Sequence, residues 1–355
     1  MRVVLLVVMM LWAGPALAQA TTPQQVLDTA VNQVIRPGMA NFKNRASGLE
    51  SAMSVLCARP SERSLMIAEQ FFENAVLAYG QIEFIRIGPL MEDNRADRLL
   101  FWPDRRGTGL RQVQAIIAEA DASATEVMSL RDKSVAAQGF GALEFVLFGT
   151  GAEALLAPEG EFRCRYGLAI AANISRIAGE LAMGWYQQEG VAAHLTRPQA
   201  DYADYRTETE ALEEIVGLVS HGIEAMRDTR INPFIAKDGE TAQPKLALFW
   251  RSGLTLAMIR ANVDGMRKLV AVSGVARAVA EANSGLDNSI DFEFRNAIRA
   301  LDIVTLPVEQ AVDDEKQAFA LGYLVLVTGS LQTMIGEHLS AALGLSVGFS
   351  SLDGD

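Results

Sequence analysis

Histidine is scarce in this chain of 355 residues: His194, His221 and His338 are all there is, far apart in sequence. Metal centres need converging His, Cys, Asp or Glu, so imidazole chemistry has little to draw on. His221 and Glu224 form an HxxE pair on one helix face and are weak metal candidates. A surface helix gives the same spacing by chance. H-E-x-x-H is missing, and so is a glycine-rich phosphate loop. Prolines number only 11, and neither strand alternation nor hairpin turns punctuate the chain. These gaps argue against β and α/β folds and leave nucleophilic and nucleotide chemistry without specific support.

Basic residues are also outnumbered. The net charge is −12, which disfavours nucleic acid and anionic lipid headgroups as partners. Only two cysteines occur, Cys57 and Cys164.

What is present begins with an export signal over residues 1–18. Arg2 leads an apolar run, Val3–Trp12, and Ala16-Leu17-Ala18 is a small-residue cleavage site. The run is too short for a membrane anchor. In an exported protein two cysteines favour one disulfide, with two buried thiols as the alternative.

Half of the residues are hydrophobic, enough for a sizeable core. Helical periodicity dominates. Helices are expected from Thr22 to Ile35, with a break at Arg36-Pro37-Gly38, then over Met39–Cys57, Ser61–Ile87, Leu110–Lys133 and Glu161–Gln188. Further helices are expected from Thr207 to Arg227, up to Val272, over Asp287–Ile303 and over Val308–Leu343. The apolar centre of the last one, Leu321–Val327, reads as core too short to cross a membrane. The fold class is all-α, in two helical-bundle halves: an N-terminal bundle, 19–198, and a C-terminal bundle, 199–355. Phe101-Trp102 and Phe249-Trp250 each precede a basic residue, a glycine and a helix, a weak sign of duplication.

One stretch organises the functional reading. Glu144 lies in Gln138–Gly149, with only glycine, alanine, leucine, phenylalanine and valine within three residues of it. A carboxylate there needs a buried partner or a pocket; the alternative is a helix residue whose carboxylate simply reaches water. Glu83 and Arg86, three apart near a helix end, read as a polar pair facing a cleft or as an ordinary ion pair. The loop Phe101-Trp102-Pro103-Asp104-Arg105-Arg106 could shape a pocket for an anion or carboxylate, although a packed loop with solvated arginines is slightly favoured.

Gly139-Phe140-Gly141-Ala142-Leu143-Glu144 resembles the GxHxxE signature of the imelysin family, the insulin-cleaving metallopeptidase-like proteins of bacterial envelopes. The first glycine and the glutamate match, but Gly141 stands at the histidine position. Glu83–Pro89, the FWPDRR loop, the RCRY around Cys164, FWRSG at 249–253 and the closing 348–355 are similar to family pieces in the same order. The resemblance implies two bundle-like halves with a site near their junction, a periplasmic location and a link to iron acquisition. It raises a metal ion as cofactor, which the degenerate motif does not support. The expectation is a non-catalytic periplasmic binding or accessory protein tied to iron or another nutrient. Iron-uptake or other envelope proteins are the expected partners, and the chain is not integral to the membrane. The ligand cleft would comprise Glu83, Arg86, Trp102, Asp104, Arg105, Glu144 and Arg251. A zinc-dependent peptidase and a scaffold without a small ligand are the alternatives.

Overall fold

A computed structural model describes residues 21–236 and 240–346; the expected signal, 1–18, and the closing stretch, 348–355, lie outside these residues. Among the described residues there is helix and no strand. The chain enters through α1 (Pro23–Thr29), capped by the Thr22 hydroxyl and the Gln25 side chain. A π turn, Ala30–Ile35, then leads into α2 (Arg36–Ala58) with helical backbone throughout. The break expected at Pro37 does not occur. A proline clashes with the carbonyl four residues back, and a wider turn just before it relieves that clash.

The Ser61 hydroxyl accepts from Ser64 N–H and opens α3 (Glu62–Gly80). This helix stops seven residues short of the expected Ile87. The cause lies far away in sequence. Asn262 donates to the Gly80 carbonyl at 2.7 Å, and Gly265 lies so close that a Cβ there would be 2.2 Å from the Gln81 carbonyl oxygen. The Gly80 carbonyl that would accept in another turn is thus taken by a packed neighbour, which also crowds the Gln81 carbonyl.

Short helices α4 (Arg95–Leu99), α5 (Thr108–Glu119) and α6 (Val127–Leu130) follow. The single helix expected over Leu110–Lys133 ends early, because Ala120 takes a left-handed conformation, φ 48°. Next come α7 (Phe140–Phe148), α8 (Glu161–Gly184) and α9 (Val191–Thr196). In the second half, α10 (Glu208–Met226) continues into a π turn, Arg227–Ile231. It is followed by α11 (Thr255–Ser273), α12 (Leu286–Ile303) and α13 (Val308–Ala311). The last run is α14 (Glu315–Thr333), a third π turn and α15 (Ser340–Leu343).

By length and composition the run Glu315–Leu343 could cross a bilayer. That corrects the expectation that its apolar stretch is too short. Leu321, Leu324 and Val327 are buried, as expected, while Phe319 and Leu326 face outward. The inner face packs on α10 and α12.

The first half is built on α2 packed between α3 and α8. Cys57 and Cys164 are bonded, joining the end of α2 to the first turn of α8 across 107 residues. α1 and its π turn pack on α10 and α11, so contacts run across the expected division at 198/199.

Candidate functional site

α7 is the element that positions Glu144, and it is held at both ends. At its start, Gly139 lies against another chain segment: a Cβ would be 2.3 Å from the Leu99 carbonyl oxygen. Only glycine allows that approach. The neighbouring Gln138 side chain is fully buried, accepts from Arg98 and donates to the Lys133 carbonyl at 2.7 Å. At the other end, Arg163 is 6% exposed and donates to the carbonyls of Phe145, Val146 and Thr150 at 2.6, 2.9 and 2.9 Å. It satisfies acceptors that a helix C-terminus leaves bare, and its charge suits that end of the dipole. In the same RCRY segment the Tyr166 hydroxyl donates to the Ala137 carbonyl at 2.6 Å.

The FWRSG turn meets α7 from the second half. Phe249 has φ 60° and Gly253 φ 71°, two left-handed residues that fold the segment tightly. Phe72 of α3 packs against Phe140 of α7 and against Phe249, at centroid distances of 6.1 and 6.0 Å. One aromatic ring therefore sets the spacing between α7 and the turn.

Glu144 is 4% exposed. Its Oε1 accepts from the Ser252 N–H at 3.0 Å and from the Ser252 hydroxyl at 2.9 Å. Its Oε2 lies 4.0 Å from Arg251 Nη1. Burial pushes the Glu144 carboxyl above its ordinary value, while the Ser252 bonds and the Arg251 charge pull it back. The Arg251 guanidinium sits 4.6 Å above the Trp250 ring. The lone acid thus has the partner its surroundings demand.

Glu144 faces a cavity of about 280 Å³, to which Trp102, Arg105, Lys245, Trp250 and Arg251 also contribute. Both Phe-Trp pairs line it. Gly141 opens onto it, and a Cβ placed there meets no atom within 4 Å. Asp104 reaches the same cavity, but its carboxylate is taken up by α5: it accepts from the N–H groups of Thr108 and Gly109 at 2.7 and 2.8 Å. The cavity therefore holds three cationic side chains, Arg105, Lys245 and Arg251, against one carboxylate not engaged as a helix cap.

Of the seven expected cleft residues, five line this cavity: Trp102, Asp104, Arg105, Glu144 and Arg251. Glu83 and Arg86 do not. They lie in a second cavity on the other face of the Trp102-Pro103 segment, and they are not an ion pair on a helix face, because α3 has ended. The charge partner of Glu83 is Arg230, at 2.6 Å. Ser252, Lys245 and Arg230 were missed by sequence reasoning. Ser252 stands inside the FWRSG piece and could have been chosen as the polar residue of that turn; Arg230 carries no local signal.

No group of three His, Cys, Asp or Glu that could hold a metal occurs among the described residues. His221 and Glu224 gain no third ligand of that kind. At Glu144 the donor set is a serine and cations, which does not fit a divalent metal. Gly344–Gly348 spells G-x-S-x-G, but it follows helix α15 rather than a strand, so it lacks the setting of a nucleophile elbow.

Exchanging Glu144 for glutamine tests the reading of a buried charge held for use. A carboxyl whose folded value is raised contributes stability that is complete below the ordinary carboxylate range. That contribution is lost as pH rises through the raised value. Glu144→Gln keeps an acceptor for Ser252 and removes the charge. The variant is expected to melt at or above the wild-type temperature at pH 8, with the difference closing towards pH 5. A variant markedly less stable at pH 8 would mean that the ionised acid holds the fold together.

Comparison with known proteins places this geometry. An imelysin-like protein from Psychrobacter arcticum 273-4 superposes with a TM-score of 0.76 at 16% identity, covering 92% of this chain and 97% of that one. A "putative iron-regulated protein A precursor" from Parabacteroides distasonis ATCC 8503 gives 0.68 at 16% identity, covering 88% and 95%. No curated protein matches the sequence. The model of the imelysin family, peptidase M75, matches residues 35–332 and so takes in the Glu144 site; this chain belongs to the imelysin family.

Proposed function

We propose that this is an exported, non-catalytic imelysin-like binding or accessory protein of the periplasm, serving uptake of iron or another nutrient. Its ligand site is the Glu144 cavity. The observation that carries the reading is the composition of that cavity: one buried carboxylate facing Arg105, Lys245 and Arg251. Such a lining suits a small acidic molecule, with guanidinium groups gripping carboxylates and Glu144 taking a hydroxyl or an acid proton. It repels a bare cation. Iron would therefore arrive as an anionic chelate rather than as a free ion. The export signal and the family resemblance support the location, and the iron-regulated neighbour supports the link to iron.

Hydrolysis is not the favoured reading. A metal-bound water needs several ligands and an open position, and Gly141 supplies no ligand.

The test is calorimetry with citrate and ferric citrate on the mature protein. Both are expected to bind, and Arg251→Gln is expected to weaken them about tenfold by removing one charge-assisted contact. Absence of binding, or binding indifferent to Arg251→Gln and Glu144→Gln alike, would remove the site. Stoichiometric zinc with chelator-sensitive cleavage of an unfolded protein would replace the reading with that of a peptidase.

A further inference from the structure

The cavity behind Trp102-Pro103 is the larger of the two, about 520 Å³, and it lies between α10, α11 and the segment after α3. Glu83, 8% exposed, is fully engaged on its wall: Oε2 accepts from Arg230 Nη2 and Oε1 from Asn262 Nδ2, both at 2.6 Å. The partners of Glu83 are not. Arg230 Nη1 and Asn262 Oδ1 are buried and have no hydrogen-bond partner. Turning the Asn262 amide would not help. Its Nδ2 also donates to the Gly80 carbonyl, so a flip would set oxygen against two acceptors. A buried donor and a buried acceptor, 3% exposure at Asn262, are costly to leave unmade.

The other walls narrow the ligand. Arg86 is exposed at the rim, and Glu214 and His221 reach the cavity from α10. Phe84, Leu218, Met226 and Met266 make one wall apolar, with two flexible thioethers that adapt to shape, while Thr229 adds a hydroxyl-bearing side chain. Counted as charges, Arg86 and Arg230 face Glu83 and Glu214. A ligand of either net charge would upset that balance in a half-enclosed space, whereas a zwitterion preserves it.

We propose that this second cavity binds a free α-amino acid with an apolar, methionine-like side chain. The ligand carboxylate takes the idle Arg230 Nη1 with help from Arg86. Its ammonium group donates to Asn262 Oδ1 on the side facing Glu214. The side chain lies among Met226, Met266, Leu218 and Phe84. The proposal goes beyond the Glu144 reading and uses none of the residues assigned to the acidic ligand.

Calorimetry of the mature protein with L-methionine and with N-acetyl-L-methionine tests it. L-Methionine is expected to bind and the acetylated form, which has no ammonium, to bind about tenfold more weakly or worse. Arg86→Gln, at the exposed rim, is expected to weaken methionine about tenfold while citrate binding stays as it was. Ala225→Leu, which fills the cavity, should abolish methionine binding. The proposal is overturned if methionine, leucine and phenylalanine all fail to bind at millimolar concentration. Equal affinity for the acetylated form also overturns it. So does methionine binding that vanishes in Glu144→Gln yet survives Arg86→Gln, since the ligand would then occupy the first cavity. Failure of citrate alone would touch only the Glu144 reading.

Discussion

Replacing Arg163 with methionine is expected to lower the unfolding free energy by about 3–5 kcal/mol, because buried carbonyls stripped of their donor each cost roughly 1–3 kcal/mol. The carbonyls in question, Phe145, Val146 and Thr150, close the end of the helix that carries Glu144. Methionine fills much of the same volume, so packing loss contributes little to the effect. Burial lowers the guanidinium's pKa, but an arginine this basic stays charged at neutral pH. Lysine would keep the charge but offers one nitrogen where the guanidinium uses three. Arg163→Lys should therefore fall between wild type and methionine. Urea unfolding measures both. A loss under about 1 kcal/mol for Arg163→Met, the worth of an ordinary hydrogen bond, would show that water takes over these acceptors. Loosening of α7 should also weaken ligand binding at Glu144 before the protein unfolds, which binding assays below the urea transition would detect.

Loss of the Cys57–Cys164 bond is the second large effect. The bond closes 107 residues, for which the chain-entropy model gives up to about 4–5 kcal/mol. Cys57→Ala/Cys164→Ala is the suitable pair, since Cys164 is 4% exposed and a serine there would bury a hydroxyl. The reduced wild-type protein should unfold at the same urea concentration as the double alanine variant. If reduction leaves the midpoint unmoved, the bond contributes nothing to the folded protein's advantage. Arg163 and Cys164 are neighbours at the start of α8, so their effects should not add. Combining Arg163→Met with the alanine pair should cost less than the sum if both act by anchoring this turn of α8.

The sequence by itself determined the all-α class, and for local reasons. Helical starts were readable at Thr22 and Ser61 because a cap acts within three residues. The buried state of Glu144 was readable from its apolar neighbours, and the pairing of two cysteines from the expectation of export. Five cavity residues were legible because pieces such as FWPDRR and FWRSG concentrate aromatics and arginines in short turns.

Only the tertiary structure decided who answers the buried charges. Ser252 reaches Glu144 across 108 residues, Arg230 reaches Glu83 across 147, and Asn262 across 179. It also decided where α3 stops, because α11 takes the Gly80 carbonyl, and that end turned one expected cleft into two cavities. The reason is physical. Periodicity and caps act over three or four residues along one helix, whereas a desolvated charge or carbonyl is satisfied by whatever polar group the packing of other helices brings within 3 Å.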